Sequence, residues 1–215
     1  MKWEEAINKA INTRKNKPFG RRTPAQRLIG GCTREVYFQG QMIYKEGTHT
    51  SDPYITNEVF IEAIKLMGFE NKISLDEIKF LKEWTRETQR NLSLCKSGLP
   101  GALFHLGWGE PVHPEDAKLG DVLLFFDVHK NSKRKTNTCE GICLGLGKDA
   151  LKHDVIKYYS TDKIKATQTY ARLKHDKDDY TRIFFVCRPY WSVSGEWDCE
   201  PYVDPFVDYL KDNDA

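Results

Sequence analysis

A turn that leads into a short apolar strand constrains the fold of this chain more than any other segment. Gly120-Asp121 is a turn signal, and the run from Val122 to Phe126 is apolar and of the length typical of a buried strand. After a basic segment, the residues from Gly141 to Gly145 predict a second short strand bounded by glycines. We therefore predict that Val122–Phe126 and Ile142–Leu144 are adjacent antiparallel strands of a central sheet.

The composition is that of one globular domain rather than of a membrane protein or a nucleic-acid-binding protein. With 215 residues, of which 40% are hydrophobic and 30% are charged, the chain can bury one sizeable core. Its net charge of +2 gives no strong field that would attract nucleic acid, and no apolar run has the length of a membrane span. The first residues, Met1 to Glu5, start an acidic amphipathic helix unlike a signal peptide, so we expect a protein that is cytoplasmic as synthesised.

The cysteines and histidines favour free side chains over a disulfide framework or a metal site. The six cysteines are scattered without a CxxC pair, and several fall inside apolar runs, which is typical of buried thiols in a reducing compartment. His49, His105 and His113 lie in predicted loops. A zinc site needs three or four ligands at recognisable spacing, and the sequence has no such pattern, so we expect no metal and no cofactor.

Three segments have helical periodicity. Trp3 to Ile11 places its apolar residues on one face. A second helix is predicted from Thr56, as its N-cap, to Gly68, and a third from Ser74 to Leu94, opened by a capping box. Further strands are predicted at four places: Val36–Phe38, Met42–Tyr44, Asp154–Ser160 and Tyr180–Pro189.

Five segments of the chain occur in the order of the elements of a known family. Met42–Gly47 has the form of a lead-in strand that ends in glycine, and Thr56–Ile61 opens a helix. Leu119–Phe126 and Cys139–Gly145 are the two strands of the hairpin, and Arg182–Pro189 is a closing strand with an arginine near its end. In this order they resemble the NlpC-type papain-like cell-wall cysteine peptidases.

The resemblance implies an α+β fold of the papain-like NlpC type, in which a central antiparallel sheet packs against an N-terminal helix. It implies an NlpC-type domain over residues 37–192, with a helical insertion at 71–97. The residues before this domain, 1–36, are predicted to form an N-terminal helical arm. Those after it, 193–215, are predicted to form a C-terminal tail.

The resemblance also implies where the reacting groups of such an enzyme stand. Cysteine peptidases of this kind place the thiol at a helix N-terminus, where the dipole and a neighbouring imidazolium lower its pKa. Asn57 falls at the thiol position, Cys139 at the imidazole position and His153 near the third, orienting position. The implied substrate groove between helix and sheet is lined by Tyr44, Asn57, Glu58 and Gly141.

These residues predict a domain that has the fold of the peptidase family but lacks its catalytic groups. An amide cannot act as the nucleophile, and a thiol with a pKa of about 8.5 cannot replace the imidazole as a proton shuttle. We therefore expect a pseudo-peptidase that binds a cell-wall-type peptide or serves as a structural part of a phage or secretion assembly. Delivery in a virion or by a secretion system would follow from that role.

Two alternatives stay open. If the hairpin closes around Asn131 to Asn137, His129 lies opposite Cys139, and the two form the rearranged centre of an active cysteine peptidase or amidase that hydrolyses peptidoglycan peptides, with His153 as a third member. The second alternative is an interaction module, in which the basic run from Lys130 to Lys135 meets an anionic partner.

Overall fold

The structure is a computed structural model that describes residues 1–14, 31–47, 52–90, 98–132, 135–161, 166–197 and 199. These residues contain five α-helices: α1 (Trp3–Asn12), α2 (Asp52–Leu66), α3 (Leu75–Arg90), α4 (Gly98–His105) and α5 (Trp191–Ser194). They also contain eight strands: β1 (Val36–Phe38), β2 (Gln41–Tyr44), β3 (Gly109–Pro111), β4 (Val122–His129), β5 (Lys135–Lys148), β6 (Asp154–Thr161), β7 (Ala166–Arg172) and β8 (Tyr180–Pro189). Short 3₁₀ turns lie at Glu70–Lys72 and Pro114–Asp116.

Six of the strands form one antiparallel sheet in the order β3-β8-β4-β5-β6-β7, and β1 and β2 form a separate hairpin. The predicted central hairpin is confirmed, since Val122 of β4 pairs with Ile142 of β5. The α+β class with an antiparallel sheet is confirmed with it. The sequence pattern does not predict β7, because the strand is polar; it forms by pairing along its length with β6.

α2 begins at Asp52, earlier than its sequence pattern indicates. The prediction of Thr56 as the N-cap is wrong, because Thr56 lies inside the helix and its hydroxyl donates to the Asp52 carbonyl at 2.8 Å. Asp52-Pro53 starts the helix instead, since an acidic side chain suits the positive end of the helix dipole and proline suits the first turn. The helix ends before Gly68, whose φ of 79° forms the left-handed C-terminal turn, as predicted.

The helices cover one face of the sheet and share a single hydrophobic core with it. Trp3 of α1 packs edge-on against Phe60 of α2, with ring centroids 5.7 Å apart, and against Trp191 of α5 at 5.6 Å. The Trp3 indole nitrogen donates to the Gly120 carbonyl at 3.0 Å. α1 is therefore part of the core, and the turn before β4 is one of its contacts.

The opposite face of the sheet has a smaller cluster of its own. Residues that alternate with those of the helix-covered face are buried there: Leu123, Phe125, Cys143, Ile156, Tyr158 and Val186. Because β4 is buried on both faces, Val122–Phe126 is continuously apolar rather than alternating.

α3 begins at the predicted capping box. The Ser74 amide and hydroxyl donate to Glu77 Oε2 at 2.7 and 2.8 Å, and the Glu77 amide donates back to Ser74 Oγ at 3.2 Å. The predicted end of this helix at Leu94 lies outside the described residues.

The first residues of the predicted C-terminal tail pack on the core. The Trp197 ring stacks on Trp191, with centroids 4.8 Å apart. Residues 200–215 lie outside the described part of the chain. Within that part, no helix combines the length and apolar character that crossing a membrane requires.

Candidate functional site

The start of α2 faces the sheet at Cys139, and four side chains meet there that we call the junction site: Asp52, Cys139, Tyr158 and Ser160. The Cys139 Sγ lies 3.2 Å from Asp52 Oδ2, 3.5 Å from the Tyr158 hydroxyl and 3.8 Å from Ser160 Oγ. Asp52 and Cys139 are both half-buried, so their contact is neither sealed in the core nor on the open surface.

Gly141 of β5 explains how a side chain of β6 reaches Cys139. A Cβ at Gly141 would lie 2.7 Å from Tyr158 Cδ2 and 2.7 Å from the Tyr159 carbonyl oxygen, so only glycine leaves room for β6 and its tyrosine. Gly141 is a predicted groove residue, and the structure places it under the Tyr158 ring. Its role there is to admit Tyr158 to the junction site.

The electrostatics of the junction site keep the thiol protonated. Burial, followed by the neighbouring Asp52 carboxylate, raises the pKa of the Cys139 thiol far above its ordinary value. Burial and Cys139 likewise raise the pKa of Tyr158. Because the nucleophile in cysteine chemistry is the thiolate, Cys139 is held in its unreactive form at neutral pH.

Glu140 is the residue after Cys139 in β5. It is 2% exposed, and its Oε2 accepts a hydrogen bond from the Leu99 amide at 3.3 Å. Its Oε1 is buried without a hydrogen-bond partner. Burial, with a smaller contribution from Asp52, raises the pKa of Glu140 to about 8, although the Leu99 amide opposes the shift.

Asn57 lies in the second turn of α2, which corrects its expected place at the helix start. It is fully buried, and its Nδ2 donates to the Pro53 carbonyl at 2.8 Å and to Thr85 Oγ1 at 3.2 Å. The bond to Thr85 links α2 to α3, and the bond to Pro53 lies within α2. Asp52, the first residue of α2, is the residue of this helix that contacts the Cys139 thiol.

Neither predicted histidine contacts Cys139, and the pairing of Cys139 with His129 is wrong. Cys139 lies opposite Phe125 in the β4–β5 ladder, whereas His129 lies at the far end of β4. The hairpin turns earlier than expected, because β5 begins at Lys135, which pairs with Val128 of β4. His153 precedes β6 and its Nδ1 lies 3.4 Å from Asp149 Oδ2, so it does not orient a group at the junction site.

Tyr44 and Glu58, the other predicted groove residues, lie inside the fold. Tyr44 is 5% exposed and packs edge-on against Tyr54, with ring centroids 5.8 Å apart; its hydroxyl is buried without a hydrogen-bond partner. Glu58 is fully buried and accepts hydrogen bonds from the Thr33 amide at 2.7 Å and the Thr33 hydroxyl at 2.6 Å. Glu58 therefore ties the segment before β1 to α2.

The remaining histidines and cysteines form no metal site within the described residues. His105 packs on Trp84 with ring centroids 4.5 Å apart, and the exposed His113 accepts from the Glu115 amide at 3.4 Å. His49 and Cys95 lie outside the described residues. Four of the described cysteines are free thiols, as predicted: Cys32, Cys139, Cys143 and Cys187.

Comparisons with protein-family models, with curated proteins and with solved structures give no match. The class of the protein therefore follows from its own architecture, an α+β fold on a six-stranded antiparallel sheet. Sequence reasoning found Cys139 but missed its partners Asp52, Tyr158 and Ser160. The Asp52-Pro53 pair is a helix-start signal that identifies Asp52, whereas no local signal identifies Tyr158 or Ser160.

Proposed function

We propose that this chain is a catalytically degenerate domain of the NlpC type, which binds a cell-wall-type peptide at the junction site without cleaving it. The observation that carries the proposal is the 3.2 Å contact between Cys139 Sγ and Asp52 Oδ2. This contact joins the first turn of a helix to a strand of an antiparallel sheet. Papain-like enzymes use such a layout to bring a thiol and an imidazole together.

The chemistry of the two side chains supports binding rather than hydrolysis. A carboxylate stands at the helix start, where the enzyme would need a thiol, and a thiol stands on the strand, where it would need an imidazole. Burial and Asp52 disfavour the Cys139 thiolate. No histidine of the described residues contacts this thiol, so the proton shuttle of a cysteine peptidase has no counterpart there.

The same groups suit recognition of a peptide. The Asp52 carboxylate is half-buried at the start of α2, and it can accept hydrogen bonds from amide or amino groups. The Tyr158 hydroxyl can donate to a peptide carbonyl. Peptides of the cell wall offer both kinds of group.

A titration with a synthetic peptidoglycan stem peptide tests the proposal. We expect binding by isothermal calorimetry, with NMR shift changes concentrated at the amides of β5 and β6 around Cys139 and Ser160. Mass spectrometry of the same mixture should recover the peptide intact. Asp52→Asn should weaken the affinity by about tenfold, the loss expected when a hydrogen bond to a charged group is removed.

Asp154→Asn is the matched control, because Asp154 is an exposed carboxylate at the other end of β6, paired with Lys148. It should leave the affinity unchanged. Absence of binding, or equal binding by wild type and Asp52→Asn, would contradict the proposal. Cleavage that disappears in Cys139→Ala would instead favour an active enzyme, and a parallel His49→Ala variant tests whether an imidazole from outside the described residues takes part.

The alternative of an interaction module gains no specific support. Lys130 is exposed at the end of β4, but Lys133 and Arg134 of the basic run lie outside the described residues. Binding of an anionic partner by the basic run from Lys130 to Lys135 stays a prediction. Delivery in a virion or by a secretion system also stays a prediction.

A further inference from the structure

Glu140 differs from two other buried carboxylates of the sheet in its partners. Asp127 accepts hydrogen bonds from Arg182 at 2.7 and 3.0 Å, and Asp121 accepts them from Arg188 at 3.1 and 2.8 Å. Glu140 forms no ion pair with any cation of the described residues, although it is 2% exposed. A charged carboxylate is costly to bury without a partner, so this environment favours the neutral acid.

The Glu140 carboxyl lies directly against the start of α4. Its Oε2 accepts the Leu99 amide hydrogen at 3.3 Å. A Cβ at Gly98, whose φ is 57°, would collide with the same oxygen and with the Leu124 side chain, so glycine is what lets the chain close over the carboxyl. Oε1 is buried without a hydrogen-bond partner. The start of α4 thus seals the carboxyl from water.

The groups that face Glu140 from the neighbouring elements are neutral or acidic. α2 contributes the Asp52 carboxylate, which opposes a negative charge on Glu140. β2 contributes the Tyr44 phenol, which is neutral because burial raises its pKa well above its ordinary value. β4 contributes the apolar Leu124, and α4 a backbone amide. From β6, the Ser160 hydroxyl donates to the Glu140 backbone carbonyl and leaves the carboxyl untouched.

We propose that Glu140 is a proton-controlled clasp, which holds the start of α4 on β5 while its carboxyl is neutral and releases it when the carboxyl ionises. A carboxylate needs water or donors on both oxygens, and Gly98-Leu99 must move away to admit them. This inference stands on the packing around Glu140 and does not depend on the peptide-binding proposal.

The direction of the pH dependence follows from the two protonation states. The pKa of Glu140 is raised from 4.5 to about 8 in the folded protein, chiefly by burial. Between these values the folded state keeps a proton that the unfolded state has lost. The contribution of the neutral carboxyl to stability is therefore complete below about pH 4.5 and is lost as the pH rises through about 8.

Hydrogen exchange at the Leu99 amide tests the clasp. With rates corrected for intrinsic exchange, we expect protection of Leu99 to fall by roughly tenfold between pH 7 and pH 9 and to level off above that range. Each pH unit between the ordinary pKa of the open carboxyl and the raised pKa of the closed carboxyl weakens the closed state about tenfold, and this dependence ends above the raised pKa of about 8. Glu140→Gln cannot ionise, so its Leu99 protection should stay constant over this range. Glu110→Gln, at an exposed residue of β3, should behave as wild type.

A second measurement keeps the test decisive if Glu140→Gln fails to fold. A carbon-13 titration of the glutamate carboxyls in the wild-type protein should show Glu140 with a midpoint near 8 that coincides with the loss of Leu99 protection. A midpoint below about 6, close to ordinary glutamate, would overturn the clasp. Leu99 protection that does not change with pH in the wild type, or that changes equally in Glu140→Gln, would also overturn it.

Discussion

At the scale of single residues, the environment of a side chain decides its chemistry more than its type does. In the sequence alone, Cys139 is one of six cysteines with nothing local that sets its reactivity apart. In the structure its thiol donates a hydrogen bond to Asp52, and burial, followed by this carboxylate, raises its pKa. Placed beside a cation at a helix start, the same thiol would be a nucleophile.

The double substitution Asp52→Cys with Cys139→His should create such a nucleophile. The new thiol would stand in the first turn of α2 and lie beside an imidazole, and both stabilise a thiolate. We expect iodoacetamide to alkylate residue 52 about tenfold faster at neutral pH than in Asp52→Cys alone, since one unit of pKa changes the thiolate fraction by about that factor. Peptide mapping gives the rate at each cysteine.

The matched control is Asn57→Cys with Cys139→His, because residue 57 is fully buried and contacts α3 rather than β5. Its thiol should react slowly. Equal rates at residues 52 and 57 in folded proteins would mean that the start of α2 does not face residue 139.

At the scale of elements, the glycine in the turn before β4 also forms a contact with a helix that is distant in sequence, α1. Gly120-Asp121 predicts a turn from sequence alone. The structure adds that Trp3 of α1 lies over this turn, and a Cβ at Gly120 would be 2.5 Å from Trp3 Nε1. The φ of Gly120 is 94°, which also disfavours any side chain. The glycine therefore serves both the turn and the docking of α1.

Gly120→Ala should destabilise the protein by about 3 kcal/mol, the sum of a strained backbone and a collision with the indole. Gly40→Ala separates the two effects. Gly40 has a φ of 76°, but a Cβ at this position would meet no atom within 4 Å, so the substitution should cost only about 1 kcal/mol. Urea unfolding measures both free energies, and equal losses would show that the contact with Trp3 contributes nothing.

At the scale of the whole molecule, an aromatic cluster centred on Trp191 joins the two ends of the described chain. Its ring contacts Trp3 of α1 at 5.6 Å, Phe60 of α2 at 6.0 Å and Trp197 at 4.8 Å between centroids. Trp108, beside β3, lies 6.1 Å away. Trp191 therefore packs against three parts of the chain: α1, α2 and the residues that follow the sheet.

Trp191→Ala should lower the free energy of unfolding by about 3 to 5 kcal/mol, the usual cost of deleting a large buried aromatic ring. It should also weaken the near-ultraviolet circular dichroism of the remaining tryptophans. Val193→Ala is the control in the same short helix, because Val193 is 83% exposed and should change stability by less than about 0.5 kcal/mol. Similar losses in both variants would contradict a common aromatic core.

Those features that depend on neighbours in sequence were predictable from the sequence alone. The turn at Gly120, the apolar run of β4, its antiparallel partner β5 and the capping box of α3 each follow from residues a few positions apart, because turn chemistry, periodicity and capping act over that distance. Cys139 was singled out differently, by the family resemblance, which places it at the imidazole position at the start of β5.

Only the tertiary structure decided which distant residues meet. Asp52 rather than Asn57 contacts Cys139, because α2 begins at Asp52. The register of β4 and β5 pairs Cys139 with Phe125, so His129 lies too far along β4 to contact the thiol. β7 forms because it pairs with β6 along its length. The pKa of Glu140 is raised because the folded chain buries its carboxyl. Burial and pairing partners are set by the whole chain, since a contact between residues far apart depends on every element that packs between them.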